Sequence, residues 1–214
     1  MIEIIVLKFN NPEVEIPCVD SVILHTTGQY HLTVHDNYPI NENIGVIWNK
    51  LIGRSQADYI CLLNSDTLVE DGWLEKLVVA LKEDPLAGVI GPCTNSCKTE
   101  QARQEKTDRK EVVDFGALYP GWCLGGFCIV FPKKIWEEVG GFDEDFGFYG
   151  QEVNLIDKIV AKGYKQLWRK DVFVWHKGGA TIKLVARPED IEADRKLARE
   201  TFLEKRKSLK KLSV

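Results

Sequence analysis

The sequence lacks several things that would settle its class at once. It has no apolar run near the ~20 residues a membrane span needs. Its opening, Met1-Ile2-Glu3-Ile4-Ile5-Val6-Leu7, is too short and too acidic for a signal peptide. The expectation is therefore a cytoplasmic chain with reduced thiols. None of the six cysteines forms a CxxC pair. Cys93-x3-Cys97 with Cys123-x4-Cys128 can be drawn as a zinc site, but the spacings are loose and no histidine lies nearby. Cys18, Cys61 and Cys128 sit in apolar contexts and read as small hydrophobes. There is no strong net charge: 28 basic against 32 acidic residues leave -4, which gives no reason to expect a nucleic-acid partner. Internal repeats and low-complexity tracts are missing too.

What is present is an ordinary globular composition, 44% hydrophobic and 28% charged over 214 residues. A chain of this length buries ~70% of its unfolded surface without staples. Ile2 to Phe9 is a continuous apolar run stopped by Asn10-Asn11-Pro12, the pattern of a buried parallel strand. Val19 to Leu24 reads as helical and Leu32 to Val34 as a strand. Asn43-Ile44-Gly45 opens a helix through Trp48 and Leu51. Tyr59 to Leu63 is a strand. Glu70 to Lys82 is a helix with Trp73, Leu74, Leu77, Val78 and Leu81 on one face. Ala87 to Ile90 is again a strand. This βαβαβαβ order predicts a parallel sheet with helices on both faces. Residues 95–111 are polar, charged and aperiodic, and predict a mobile loop. Beyond them come a strand over Phe127–Phe131, a helix with Pro132 at its first position, a helix over Gln151–Lys162 ended by Gly163, and a strand over Val172–Trp175 delivering His176. The tail from Pro188 is a charged helix.

Ligands of such sheets bind at the carboxyl ends of strands. The clusters Phe9-Asn10, His35-Asp36-Asn37 and Asn64-Ser65-Asp66 all follow strands and should meet on one rim. Asp66 suits a hard cation such as Mg²⁺ or Mn²⁺, held by one or two carboxylates plus substrate phosphates, with Asn64 in support. A solvated turn or helix cap is the plain alternative. Glu152 opens a helix after the glycine-rich aromatic stretch Phe146–Gly150. Apolar surroundings there would raise its pKa toward general-base work, while the helix dipole alone also favours an acid at that place. His176 precedes Lys177-Gly178-Gly179, where glycine lets backbone approach a ligand, and histidine ligates such ions.

On these residues the chain resembles a family 2 inverting glycosyltransferase of the GT-A fold, nearest in style to rhamnosyltransferase-like members. The resemblance runs from about Ile2 to Thr181. It rests on Ile4–Asn11, Asp36-Asn37, Asn43-Ile44-Gly45 with Asn49, and Leu62-Leu63-Asn64-Ser65-Asp66-Thr67 for the metal-binding DxD element. It continues with Gly140-Gly141-Phe142-Asp143-Glu144 and Phe146, Gln151-Glu152-Val153-Asn154-Leu155 for the catalytic element, and Val174-Trp175-His176-Lys177-Gly178-Gly179-Ala180-Thr181. Two departures stand out. Asn64 replaces the first acid of the DxD element. Gln151-Glu152 and Asn154 replace the usual Glu-Asp and the later Asp, so the base is one methylene longer.

The resemblance implies a GT-A, Rossmann-like, mostly parallel sheet flanked by helices in one compact domain, with a C-terminal helix. It divides residues 1–186 into a nucleotide-binding half, 1–92, and an acceptor and catalytic half, 93–186, followed by the charged helix 187–214. It implies a nucleotide-diphosphate sugar as donor and a saccharide or lipid-linked saccharide as acceptor. Phe9, Asn10, Asp36, Asn37, Asn43, Asn49, Asn64, Ser65, Trp122, Gly125 and Gly126 would line the donor site. Asp66 and His176 would hold Mn²⁺ or Mg²⁺, and Glu152 would be the base. Trp122 is equally readable as core. The five basic residues from Lys205 onward, with Leu203, Leu209 and Leu212, offer either a solvated helix or a peripheral contact with an anionic inner membrane face. Two competing classes stay open: a degenerate nucleotide-sugar binder, favoured by Gln151 and Asn154, and a nucleotidyltransferase, for which Asn10-Asn11-Pro12 offers no glycine-rich phosphate loop.

Overall fold

Short apolar runs that alternate with amphipathic helices leave the chain one economical solution, a central sheet with helices on both faces. The computed structural model describes residues 1–103, 106–108 and 110–212. In chain order the elements are β1 (Ile2–Lys8), α1 (Pro12–His25), β2 (Tyr30–Asp36), α2 (Ile44–Arg54), β3 (Tyr59–Asn64), β4 (Thr67–Leu68), α3 (Trp73–Glu83), β5 (Ala87–Cys93) and β6 (Val112–Asp114). They continue as α4 (Phe115–Leu118), β7 (Cys128–Pro132), α5 (Lys133–Glu138), α6 (Gln151–Ala161), β8 (Lys165–Phe173), β9 (Trp175–His176), α7 (Ile182–Val185) and α8 (Pro188–Leu212).

Seven strands form one sheet in the order β2-β1-β3-β7-β5-β8-β6. β2, β1 and β3 are mutually parallel, as are β5 and β8, while β7 and β6 run against their neighbours. The sheet is thus mixed and mostly parallel, as expected. One detail differs: β5 does not lie beside β3, because β7 comes back between them. Neighbouring residues in a strand face opposite sides. Ile4, Val6, Cys61 and Leu63 therefore face one core with Trp73 and Leu77, while Ile5, Leu62 and Ile129 face another with Leu155, Ile159 and Trp168. Each fully buried side chain of this kind contributes ~1.5–3 kcal/mol.

Several boundaries differ from the sequence reading. α1 begins at Pro12, with proline at the helix start, and not at Val19. β8 is a nine-residue strand, longer than the expected Val172–Trp175, and its Gln166, Leu167 and Trp168 are buried. Gly163 ends α6 at a φ of 91°, as read from the sequence. Residues 94–103 are folded onto the sheet and do not form a mobile loop. Thr94 N donates to Gln101 O at 3.0 Å, Arg103 N to Thr94 O at 2.8 Å, and Gln101 is fully buried. Gln104, Glu105 and Arg109 of the expected loop lie outside the described residues.

The C-terminal helix is docked. Ile191 and Ala198 are buried, Lys205 pairs with Asp143 at 3.0 Å and Asp145 at 2.8 Å, and Arg206 pairs with Asp157 at 3.3 Å. Two of the basic residues read as solvent- or membrane-facing are therefore engaged with the protein. The side chains of Leu209, Lys210, Lys211 and Leu212 lie outside the described residues. Among the described residues, no helix is long and apolar enough to cross a membrane.

Candidate active site

The small two-stranded sheet of β4 and β9 builds the first part of the site. It pairs Thr67 with His176 and Leu68 with Trp175, and Lys177 N donates to Asp66 O at 2.9 Å. This pairing brings the end of β3, with Asn64, Ser65 and Asp66, against His176. The Asp66 carboxylate is buried: Oδ1 lies 3.2 Å from His176 Nε2, and Oδ2 accepts the Ala180 amide at 3.2 Å. Asn64 Nδ2 lies 3.4 Å from the same Nε2. The imidazole stacks on Phe127, with centroids 5.4 Å apart and planes at 22°.

The His176 tautomer follows from its surroundings. Nδ1 lies 2.8 Å from the Ser96 carbonyl, which can only accept, so Nδ1 carries a proton. Nε2 then points a lone pair at Asp66 Oδ1, and the two attract only through a shared proton or a cation. Burial pushes the Asp66 pKa up, but the hydrogen bond and charge of His176 outweigh it and the carboxyl sits below its usual value. Burial pushes His176 down, and its bond to Asp66 outweighs that and holds it above its usual value. A divalent ion fits this donor set. Adjacent ligands on an octahedral ion with ~2.1 Å bonds lie about 3 Å apart, close to the 3.2 Å observed. The hydrogen bond from Nδ1 to a backbone carbonyl is the usual outer support of a ligating imidazole. Were Asp66 and His176 to hold such an ion, its remaining positions would go to substrate oxygens and water. Among the described residues, no three His, Cys, Asp or Glu side chains cluster as a closed metal cage. The four cysteines of the drawn zinc site go elsewhere. Cys93 Sγ accepts Trp168 Nε1 at 3.2 Å, Cys97 bonds Thr99, Cys123 donates to Val153 O at 3.8 Å, and Cys128 is in the core.

Glu152 forms the second part. It is the second residue of α6, half-buried, and its carboxylate lies against Gly126. A Cβ on Gly126 would overlap Glu152 Cγ and come within 2.7 Å of Cδ and Oε1. Burial holds the Glu152 carboxyl above its usual pKa, opposed only by its own backbone amide. A carboxylate with that bias accepts a proton more readily than an ordinary glutamate.

The other candidate residues divide by place. Phe9 meets Tyr38 edge-on at 5.6 Å, Asn10 follows with a φ of 50°, and Asp36 lies 3.5 Å from Lys8, so the ends of β1 and β2 share one rim. Trp122 is 58% exposed and belongs to the surface, not the core. Asn37, Asn43 and Asn49 turn inward as scaffold. Asn37 closes its loop on both the amide and carbonyl of Glu42. Asn43 caps α2 through Gly45 N and Val46 N and donates to Phe146 O at 2.6 Å. Asn49 accepts from Phe142 N and donates to Phe142 O, both at 2.9 Å. Asn43 and Asn49 thus tie α2 to the segment before α6, and the amides of all three face protein.

Sequence reading missed the residues that hold the site. Asn95 accepts His176 N at 2.8 Å and donates to its carbonyl at 3.2 Å. Ser96 supplies the carbonyl for Nδ1. Gln101 accepts the Gly125 amide at 2.7 Å and donates to Pro92 O at 2.7 Å. Gln166 accepts Leu124 N at 3.1 Å and donates to Trp122 O at 2.8 Å. Polar residues in an aperiodic stretch give no pattern that marks such roles.

The sheet order, the paired strand ends and the two acidic positions define an α/β protein of the GT-A glycosyltransferase fold. Residues 37–140 match the model of glycosyl transferase family 2. Among solved structures it is similar to a mannosyltransferase, PcManGT from Pyrobaculum calidifontis, in complex with GDP-Man and Mn²⁺. The identity is 17%, the TM-score 0.63, and the match covers 83% of this chain and 58% of that one. It is also similar to GalNAc-T7 with UDP, GalNAc and Mn²⁺, at 12% identity and a TM-score of 0.61, covering 82% of this chain and 43% of that one. The chain thus spans about half the length of these structures. No curated protein matches it by sequence.

Proposed function

We propose that the chain transfers a sugar from a nucleotide-diphosphate donor to an acceptor hydroxyl, with inversion. The observation that carries this is the arrangement of two acidic centres on one fold: Asp66 facing His176 at 3.2 Å, and Glu152 unpaired by any cation among the described residues. The match of residues 37–140 to glycosyl transferase family 2 and the donor complexes of the similar structures support the class of reaction. The rim of Phe9, Asn10 and Asp36 would receive base and ribose, and Asn64 and Ser65 the donor beside Asp66. Asp66 Oδ1 and His176 Nε2 would hold Mn²⁺ or Mg²⁺, which supplies charge neutralisation to the leaving diphosphate. Glu152 takes the proton from the acceptor hydroxyl. Gly126 keeps the backbone low beside that carboxylate, Gly125 does so beside Phe127, and exposed Trp122 offers a flat apolar face to a sugar ring. The acceptor would be a saccharide or a lipid-linked saccharide. No observation favours a membrane contact through α8, whose Lys205 and Arg206 are engaged.

The test is thermal unfolding against UDP, GDP, dTDP and CDP, each with and without Mn²⁺, on the wild type and Asp66→Ala. A ligand at 100 times its Kd adds ~2.7 kcal/mol of stability. A metal-dependent rise with one nucleotide, lost in the variant, supports the donor site and names the base. No rise with any nucleotide would sink the donor reading. A rise without transfer to any acceptor would favour the degenerate binder that Gln151 and Asn154 suggest. Nucleotidyl transfer would instead release pyrophosphate from an NTP and a sugar phosphate.

A further inference from the structure

We propose that Asp194, on the C-terminal helix, is a positioning residue for Glu152: its carboxylate pins the turn from which α6 starts. The proposal rests on reading Glu152 as the base. Asp194 Oδ2 accepts Phe148 N at 3.0 Å and Tyr149 N at 3.1 Å. Two successive amides on one ionised oxygen fix the orientation of both peptides, and such charge-assisted bonds are stronger than neutral ones. Gly150 follows, left-handed at a φ of 99°, and serves as N-cap of α6 without any side chain to cap it. Its carbonyl accepts Asn154 N at 2.9 Å. A helix opened by glycine has no capping side chain to set its direction. Here the direction is set from outside, by α8.

The packing leaves this turn no slack. A Cβ on Gly147 would overlap Asp194 Oδ1 and sit 3.0 Å from its Cγ. A Cβ on Gly150 would lie 2.6 Å from the Phe146 ring and 3.3 Å from Ala198 of α8. α8 also grips the turn from both sides. Arg195 lies 4.9 Å over the Tyr149 ring and donates to its hydroxyl at 3.1 Å. Lys205 holds Asp143 and Asp145, upstream of the turn, and Arg206 holds Asp157, within α6. Asp194 therefore acts on Glu152 through the backbone, from amides three and four residues away.

The experiment uses the full chain and three variants. Asp194→Asn keeps an acceptor oxygen, Asp194→Ala removes it, and Gly147→Ala displaces it. Two readouts need no substrate: amide exchange at Phe148 and Tyr149, and NMR titration of the Glu152 carboxyl, assigned against Glu152→Gln. The Ala variants should lose at least ~10-fold in protection at both amides. Their Glu152 titration should move down toward an ordinary glutamate as the carboxylate reaches water. Asp194→Asn should behave as wild type in both. With a nucleotide sugar that the wild type turns over, kcat should fall ~10- to 100-fold in the Ala variants at unchanged donor KM, as expected for misplacement by about 1 Å. A lower melting temperature with Glu152 titration unmoved would overturn the proposal and leave Asp194 a stabilising staple. Should Asp194→Ala not fold, Gly147→Ala decides by the same readouts. Undiminished transfer by Glu152→Gln would instead overturn the base reading, and the two failures are read from different experiments.

Discussion

The carboxylate of Glu152 occupies the space that any side chain at Gly126 would need. A glycine at the entry to β7 is therefore part of the geometry of the candidate base. Gly126→Ala should push the carboxylate aside while leaving Asp66 and His176 in place. Turnover should fall ~100-fold, the scale of a ~1 Å misplacement. The nucleotide-dependent rise in melting temperature should persist. Loss of both together would mean that the substitution disturbs β7 and not the base alone.

Glu152→Gln should abolish transfer and leave nucleotide binding nearly intact, which assays of product formation and thermal shift can separate. The same variant carries a stability signature. Burial raises the folded-state pKa of Glu152 above its unfolded value. Its contribution to stability is then fully present below the unfolded pKa, about 4.3, and is lost as pH rises through the folded value. At pH 7 the ionised carboxylate costs stability that glutamine does not. The variant should melt higher than wild type at neutral pH, and the gap should close below about pH 4. Transfer by the wild type should rise with pH through the same raised pKa.

Asp66→Asn and His176→Ala should each remove the metal-dependent part of nucleotide stabilisation. A bound ligand at 100 times its Kd contributes ~2.7 kcal/mol, so a difference of that order is the quantity to follow. Asn95→Ala should weaken the same effect without touching a ligand atom, because Asn95 holds both backbone groups of His176. Unchanged metal dependence in Asp66→Asn would remove it from the metal site.

Asn49→Ala should lower stability by ~1–3 kcal/mol, the usual result of stranding buried backbone partners. The Phe142 amide and carbonyl both lose their partner. Urea unfolding is the measure. Asn49→Asp should restore only the bond from Phe142 N, since a carboxylate cannot donate to Phe142 O.

The strand ends were legible because buried parallel strands read as unbroken apolar runs, and Tyr59–Leu63 followed by Asn64-Ser65-Asp66 is a clear case. Asp66, His176 and Glu152 were singled out through motif order. The placement of His176 beside Asp66 was not legible, since it depends on β4 pairing with β9 across about half of the chain. The insertion of β7 between β3 and β5 was hidden for the same reason: antiparallel and parallel buried strands share one pattern. Residues 95–103 read as a mobile loop because the side chains of Asn95 and Gln101 bond to backbone, which selects for polarity and leaves no period. Asn43 and Asn49 were read as donor contacts because the motif carries them. Their hydrogen bonds show that an asparagine can recur in a motif for the sake of the scaffold.

The pairing of Thr67 with His176 has a consequence for synthesis. During translation Asp66 emerges early, but His176 leaves the ribosome only after β8 has been made. A polypeptide interrupted between β5 and β7 has β1, β2, β3 and β5 but neither β7 nor His176. Such a product would leave Asp66 without His176 and would show the edges of β3 and β5 that β7 normally covers, a mark by which proteases could recognise it.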